Sequence, residues 1–269
     1  MKALFTIIFL ILSSNTYSWG PVGHNMTAKV AYNLLDQNVK DLLQKYNSIQ
    51  TVDEFVKIAN WADYVKSRPE YSWSYNLHFC DVYAKPLTRC KIEYKYDCVD
   101  ERCIISAINN YTMRLTNNKT DMVSLSFIVH FMGDIFQPFH IGYLADLGAN
   151  KIKVNFFEYN TNLHAVWDSY IIDKNIKELN NSKVLFENEI KNEISNIITT
   201  YPLDPLIFAQ TSLSSLCDNR LYYDNNILIE SNHILSESYY NSNKKIIKYR
   251  IASAGFYLSK IINYIYSSE

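Results

Sequence analysis

The sequence predicts a mainly α-helical fold with one small β-hairpin. Apolar residues recur at helical spacing along most of the chain. A capping box opens one of the helices, and only one short stretch alternates polar with apolar residues. With 269 residues, 48% of them apolar, the chain can bury a large core. No linker, low-complexity segment or repeat divides it, so one domain over 19–269 is expected.

The elements follow in order. Met1-Lys2, the apolar run Ala3 to Leu12 and a polar stretch ending Thr16-Tyr17-Ser18 read as a secretory signal peptide cut after Ser18. That run is half the roughly twenty residues a membrane span needs. A protein without a membrane anchor, secreted or vesicular and starting at Trp19, is the expectation. Ala28, Ala31, Leu34 and Leu35 mark a first helix, and Val39, Leu42 and Leu43 a short second one. Thr51-Val-Asp-Glu54 caps a helix running to about Lys66, stopped before Pro69. Its apolar face carries Val52, Phe55, Val56 and Ala59, and Asp63 falls on the same face. A carboxylate aimed at a core is costly unless something neutralises it.

Leu77 to Val82 reads as extended after an aromatic-rich loop, and helices are expected over 101–116 and 121–135. Lys151 to Phe156 alternates and predicts the strand or hairpin. Asn162 is a good N-cap for the helix that carries His164 and Asp168. Further helices are expected over 184–199, 205–217, 228–240 and 243–266. The last is read as a core helix.

Twenty-six basic residues balance 27 acidic ones, which excludes a bulk electrostatic duplex binder. It does not exclude an enzyme whose positive charge is bound metal. The cysteines suit an oxidising compartment. Cys98 and Cys103 form a natural local staple, Cys90 and Cys217 are candidates to tie an early loop to a late helix, and Cys80 is left over. No CxxC pair points to a cysteine zinc site. Sequons at Asn25, Asn110, Asn118 and Asn180 fit a secreted glycoprotein.

The chemistry gathers in the histidines. His130 stands four residues before Asp134, and His164 four before Asp168. On a helix that spacing puts imidazole and carboxylate on one face, a turn apart. Such pairs suit zinc or a similar divalent ion. One copy is usually a surface ion pair. Two copies with His24, His78 and His140, plus Asp63, point to a metal cluster, and only His233 looks ordinary. Three aspartates and five histidines exceed one tetrahedral zinc and suit two or three ions, as in centres that hydrolyse phosphate esters.

In order and spacing, Trp19-Gly-x-x-Gly-His24, Trp61-Ala-Asp63, His78-Phe79, His130-x3-Asp134-x5-His140 and Asn162-Leu-His164-x2-Trp167-Asp168 resemble the zinc-dependent single-strand-specific nucleases of the S1/P1 type. The resemblance runs from Trp19 to about residue 172, with the cysteines extending it to Cys217. It implies the helical fold shared by phospholipase C and P1 nuclease, three Zn²⁺ ions, and activity on single-stranded DNA, RNA and 3′-nucleotides. One zinc would take Asp63, His78, His130 and Asp134, and a second His140, His164 and Asp168. A third would take the freed amine and carbonyl of Trp19, with His24 and a bridging Asp134. Asp63 would orient the attacking water, Phe79 and Asp81 would receive a base, and Lys66 stands where the family usually has Arg near the phosphate. The products would be 5′-phosphorylated, and a monomer is expected. The alternative is a zinc-dependent phospholipase C, which could use the same metals.

Overall fold

The computed structural model describes residues 19–197 and 201–267. The expected signal peptide lies outside the described residues, as does the end of the helix expected to reach residue 199.

At the centre is a helix buried on every side. α1 (Pro21–Asn33), α2 (Gln37–Asn47), α3 (Val52–Ile58) and α4 (Trp61–Val65) lead into a 3₁₀ run, Pro69–His78. A short α5 (Tyr94–Asp97) precedes α6 (Ile104–Asn117) and α7 (Met122–Asp134). From Ser124 to Asp134 every residue of α7 is buried, and Phe127 stacks on both Tyr111 of α6 and Phe131. A helix buried all round must satisfy its own polar side chains. In α7 these include His130 and Asp134.

The capping box forms: Glu54 N–H reaches Thr51 Oγ1 at 3.3 Å and Thr51 N–H reaches the Glu54 carboxylate at 3.0 Å. The helix it opens does not run unbroken to Lys66. It breaks at Ala59–Asn60, where the Asn60 amide donates to Asn25 Oδ1 of α1 at 2.7 Å. Leu77 and His78 end the 3₁₀ run instead of opening an extended stretch. The extended part is Phe79 to Val82, held by Cys80 N–H to the His140 carbonyl (2.9 Å) and Val82 N–H to the Gly142 carbonyl (2.8 Å).

β1 (Lys153–Phe156) and β2 (Tyr159–Asn162) form the expected hairpin. α8 (Leu163–Ala165) runs through a π-helical segment, Val166–Tyr170, into α9 (Ile171–Glu178). Then come α10 (Lys183–Glu193) and α11 (Pro205–Asp218).

Of the region expected to be helix over 228–240 only Glu237–Tyr240 is helical; the rest is turn and short strand. β3 (Tyr223–Asp224) pairs with β4 (Ile227–Leu228), and β5 (His233–Leu235) adds to β1 in parallel. Asp224 holds this turn open by accepting from Ser236 N–H at 2.7 Å and standing 3.2 Å from His233 Nε2. His233 is therefore on a strand. α12 (Glu237–Ser267) is one unbroken helix of 31 residues where two were expected. The polar triplet Asn241 to Asn243 does not stop it, because buried Asn243 donates back to the Tyr239 carbonyl at 2.8 Å. α12 packs on α1, α7 and α10. No helix of the described residues is long and apolar enough to cross a membrane.

Candidate metal centre and cleft

His130 and Asp134 lie a turn apart on α7, with His130 Nε2 3.2 Å from Asp134 Oδ2. The break after α3 frees the Ala59 carbonyl, and His130 Nδ1 lies 2.7 Å from it. A carbonyl only accepts, so Nδ1 carries the proton there and Nε2 faces the carboxylates. His78 Nδ1 lies 2.9 Å from Asp134 Oδ2 and 3.1 Å from His130 Nε2. Asp63 Oδ1 completes the group, 3.4 Å from His130 Nε2 and 3.6 Å from His78 Nδ1. Four donors about ~2.0–2.1 Å from one zinc in a tetrahedron stand about ~3.3 Å from each other. The spacings here bracket that value.

His140, His164 and Asp168 form a second group. His164 Nδ1 meets the Gly148 carbonyl at 2.6 Å and His140 Nδ1 meets the His78 carbonyl at 2.7 Å, which turns both Nε2 atoms inward. His164 Nε2 is 3.3 Å from Asp168 Oδ2, and His140 Nε2 is 4.0 Å from Asp168 Oδ1. Asn162 caps the helix start by accepting from Ala165 N–H at 2.8 Å. Gly148 has φ +57°, and a Cβ there would come within 2.3 Å of the Phe139 carbonyl oxygen, so only glycine offers His164 its anchor. His140 Nε2 is buried with no hydrogen-bond partner in the group, as a waiting ligand atom would be.

His24 lies between the chain start and the first group. It stacks on His130 with centroids 3.9 Å apart, and its Nε2 is 3.2 Å from Asp134 Oδ1. Gly133 permits this, since a Cβ there would sit 2.7 Å from His24 Nδ1. Trp19 is fully buried beside Gly133, and Gly20 N–H donates to the Asp168 carbonyl at 2.7 Å. Eight of the residues expected to hold metal thus fall in three buried groups, the floor of the site, and the Trp19 side chain is buried beside them.

Burial opposes charge throughout this floor, and the outcome differs residue by residue. His130 overcomes it, raised to about 10 by Asp134 and Asp63. Asp63 and Asp134 fall well below the usual carboxylate range despite burial, because His130 faces both. Burial lowers His78 to about 4 and His164 to about 3. Burial drives Asp168 far up, against only the Gln137 amide and Lys66.

Above the floor opens a cleft of about 420 Å³ lined by His78, His140 and His164, with Lys66, Tyr75, Phe79 and Asp81 on its walls. Lys66 Nζ lies 2.6 Å from Asp63 Oδ1. Phe79 is half-buried, and exposed Tyr75 meets it edge-to-face at 6.0 Å. Burial, and then Asp146, raises Asp81 to about 6. The loop below is anchored by a two-pronged Arg89–Asp97 pair, with Nη1 to Oδ2 at 2.8 Å and Nη2 to Oδ1 at 2.5 Å.

Gln137 escaped the sequence reading. It is fully buried, gives its amide N–H to Asp168 Oδ1 at 2.6 Å and takes Phe139 N–H on Oε1 at 2.6 Å. Its backbone N–H meets the Asp134 carbonyl at 2.9 Å, and its carbonyl takes His140 N–H at 3.0 Å. One residue thus touches both metal groups. Its position between Asp134 and His140 is the only signal the sequence offered.

Cys90 pairs with Cys217 and Cys98 with Cys103, while Cys80 is a buried free thiol. Asn110, Asn118 and Asn180 are exposed, whereas Asn25 is half-buried inside α1 beside Asn60.

Comparison with known proteins agrees along nearly the whole chain. The family model described as S1/P1 nuclease matches residues 19–267. Nuclease P1 of Penicillium citrinum is 31% identical over 268 residues, covering 93% of this chain and 99% of that protein. Endonuclease 3 of Arabidopsis thaliana is 29% identical, covering 98% of this chain and 94% of that protein. Nuclease S1 of Aspergillus oryzae is 28% identical, with 96% and 95% covered.

Proposed function

The chain belongs to the S1/P1 nuclease family and is a nuclease, and we propose that it is a secreted three-zinc enzyme cutting single-stranded DNA and RNA. Its products would carry 5′-phosphates, and it would also remove phosphate from 3′-nucleotides. The observation that carries this reading is the convergence of three buried His/Asp groups on a cleft whose wall offers an aromatic ring, a carboxylate and an ammonium.

The residues fit zinc: oxygen and imidazole donors at tetrahedral spacing, each anchored imidazole turning its free nitrogen inward. Asp63, His78, His130 and Asp134 would hold one ion, and His140, His164 and Asp168 another. His24 with Asp134 and the freed Trp19 terminus would hold the third. Bound zinc supplies Lewis acidity, brings the ionisation of water towards neutral pH and offsets phosphodiester charge.

The chain's own groups do the rest. Asp63 borders both the donor group and Lys66, so it is placed to orient an attacking water and take its proton. Lys66 offers the phosphate a point charge without the fork of an arginine. Phe79 stacks an unpaired base, which a duplex cannot present, and Asp81 meets the base edge. Two disulfides and the apolar leader support passage through the secretory pathway.

Assays of one purified sample on single-stranded DNA, duplex DNA, 3′-AMP and phosphatidylcholine, with metal analysis alongside, test this reading. Cleavage of the first and third substrates with about three zinc ions per chain is expected. Turnover of phosphatidylcholine alone would shift the assignment to a phospholipase C. One zinc or none in active protein would end the three-metal scheme.

A further inference from the structure

The cleft runs on into a second groove. Lys153 and Asn162 line the cleft, and the same two residues line this adjoining groove of about 510 Å³ over the β1–β2 hairpin. In the hairpin register Lys153 faces Asn162 and Asn155 faces Asn160, which puts these four side chains on one face of the ribbon. Val154 and Phe156 point the other way, into the core. The outer face is therefore a shelf carrying the amides of Asn155 and Asn160, with Lys153 where it meets the cleft and buried Asn162 behind it, its Oδ1 turned to Ala165 N–H. Asn232 adds a further hydrogen-bonding group, and no carboxylate lines the groove.

Lys153 is exposed, and its ammonium has no ion-pair or hydrogen-bond partner among the described residues. Neighbouring Lys151, by contrast, gives its ammonium to the Ala145 carbonyl at 3.1 Å. Amides offer donors and acceptors together, which suits sugar hydroxyls and phosphate oxygens and does not suit lipid tails.

We propose that this groove, with Lys153 at its mouth, binds the sugar–phosphate backbone of the nucleotide next to the one whose base lies on Phe79. The proposal rests on the nuclease reading and extends it, because it separates polynucleotides from mononucleotides as substrates. A 3′-mononucleotide fills the cleft and leaves the groove empty, whereas a longer strand uses both.

The test uses a fluorescein-labelled decathymidylate, as a slowly cut phosphorothioate for anisotropy and unmodified for kinetics, both measured on the zinc-loaded enzyme. Thymidine 3′-phosphate serves as the mononucleotide. For Lys153→Ala the decamer is expected to bind about fivefold more weakly, and the salt slope of its log affinity to fall by about 0.7, the loss of one phosphate contact. Lys153→Glu should weaken it further and Lys153→Arg restore it. The thymidine 3′-phosphate KM should rise by less than the decamer affinity falls, since Lys153 borders the cleft but makes its phosphate contact in the groove. Lys151→Ala, a nearby cation outside the groove, should leave decamer binding unaltered. Unchanged affinity and slope in Lys153→Ala, or equal losses on both substrates, would overturn the groove while leaving the nuclease reading standing. A wild-type protein that neither binds nor cuts the decamer would overturn both.

Discussion

Both halves of the metal floor use a His four residues before an Asp, yet their electrostatics are opposite. On α7, Asp134 has three imidazole nitrogens within 3.2 Å, from His24, His78 and His130. His130 keeps its proton, held up to about 10, and Asp134 stays low. On the π-helical side, Asp168 has one imidazole nitrogen at 3.3 Å and another at 4.0 Å, and burial wins over both. Asp168 is driven up and His164 down to about 3. The first half sets the proton on His130 and the ammonium of Lys66 against its two carboxylates. The second has no cation of its own until a metal arrives.

The largest expected effect breaks the comparison at its shared residue. Asp134 touches His24, His78 and His130, so Asp134→Asn should lower kcat/KM on single-stranded DNA by about a thousandfold while the far-ultraviolet circular dichroism persists. Wild-type turnover in that variant would remove Asp134 from the metal centre. The chain start comes next. Trp19 can chelate only with a free amine, because an amide nitrogen is a poor donor. Protein beginning one glycine before Trp19 should lose one zinc and about a hundredfold in rate. Equal zinc content and equal rates in the two forms would show that the terminus is no ligand.

A smaller effect sharpens the contrast between the halves. Gln137 fixes Asp168 Oδ1, so Gln137→Met should weaken zinc at the His140/His164/Asp168 group about tenfold in chelator competition. Zinc held by the α7 group should stay, since only backbone contacts join Gln137 to it. Uniform weakening of all the ions would mean that Gln137 is merely structural packing.

The α7 half was legible because regular helix converts sequence spacing directly into a shared face. Asp63 was legible for the same reason, as an acid in an apolar stripe. What was not legible came from long-range side-chain contacts. The break at Asn60 depends on Asn25, and the strands around His233 depend on Asp224 holding Ser236. The π segment leaves the sequence pattern of a helix intact, so nothing in 163–178 announced it. Gln137 resembled an ordinary residue before a proline, and its role appears only once Asp168 is brought beside it.

The smallest effect is the most diagnostic, because it turns on a sign. In the chelator-treated protein at pH 8, Asp168 is a buried carboxylate whose folded value lies above its unfolded one. Such a group favours folding fully below its unfolded value, and that contribution is lost progressively as pH rises from there through the raised one, so deprotonating the group at pH 8 carries a cost. Asp168→Asn removes that cost and should raise Tm. Asp134 has a depressed value, so its contribution is fully present at pH 8 and is lost only as pH falls through that depressed value. It also supports His130, whose contribution is full below its unfolded value, is lost as pH climbs through about 10, and is still partly present at pH 8. Asp134→Asn strips a buried cation of a partner and should lower Tm. Shifts of about 2–4 °C in opposite directions correspond to about 1 kcal/mol each in a chain of this size. Scanning calorimetry of both variants and wild type in chelator at pH 8 reads the answer. Shifts of the same sign would mean that the two halves are electrostatically alike, and that the contrast between a self-neutralised and a metal-requiring half is wrong.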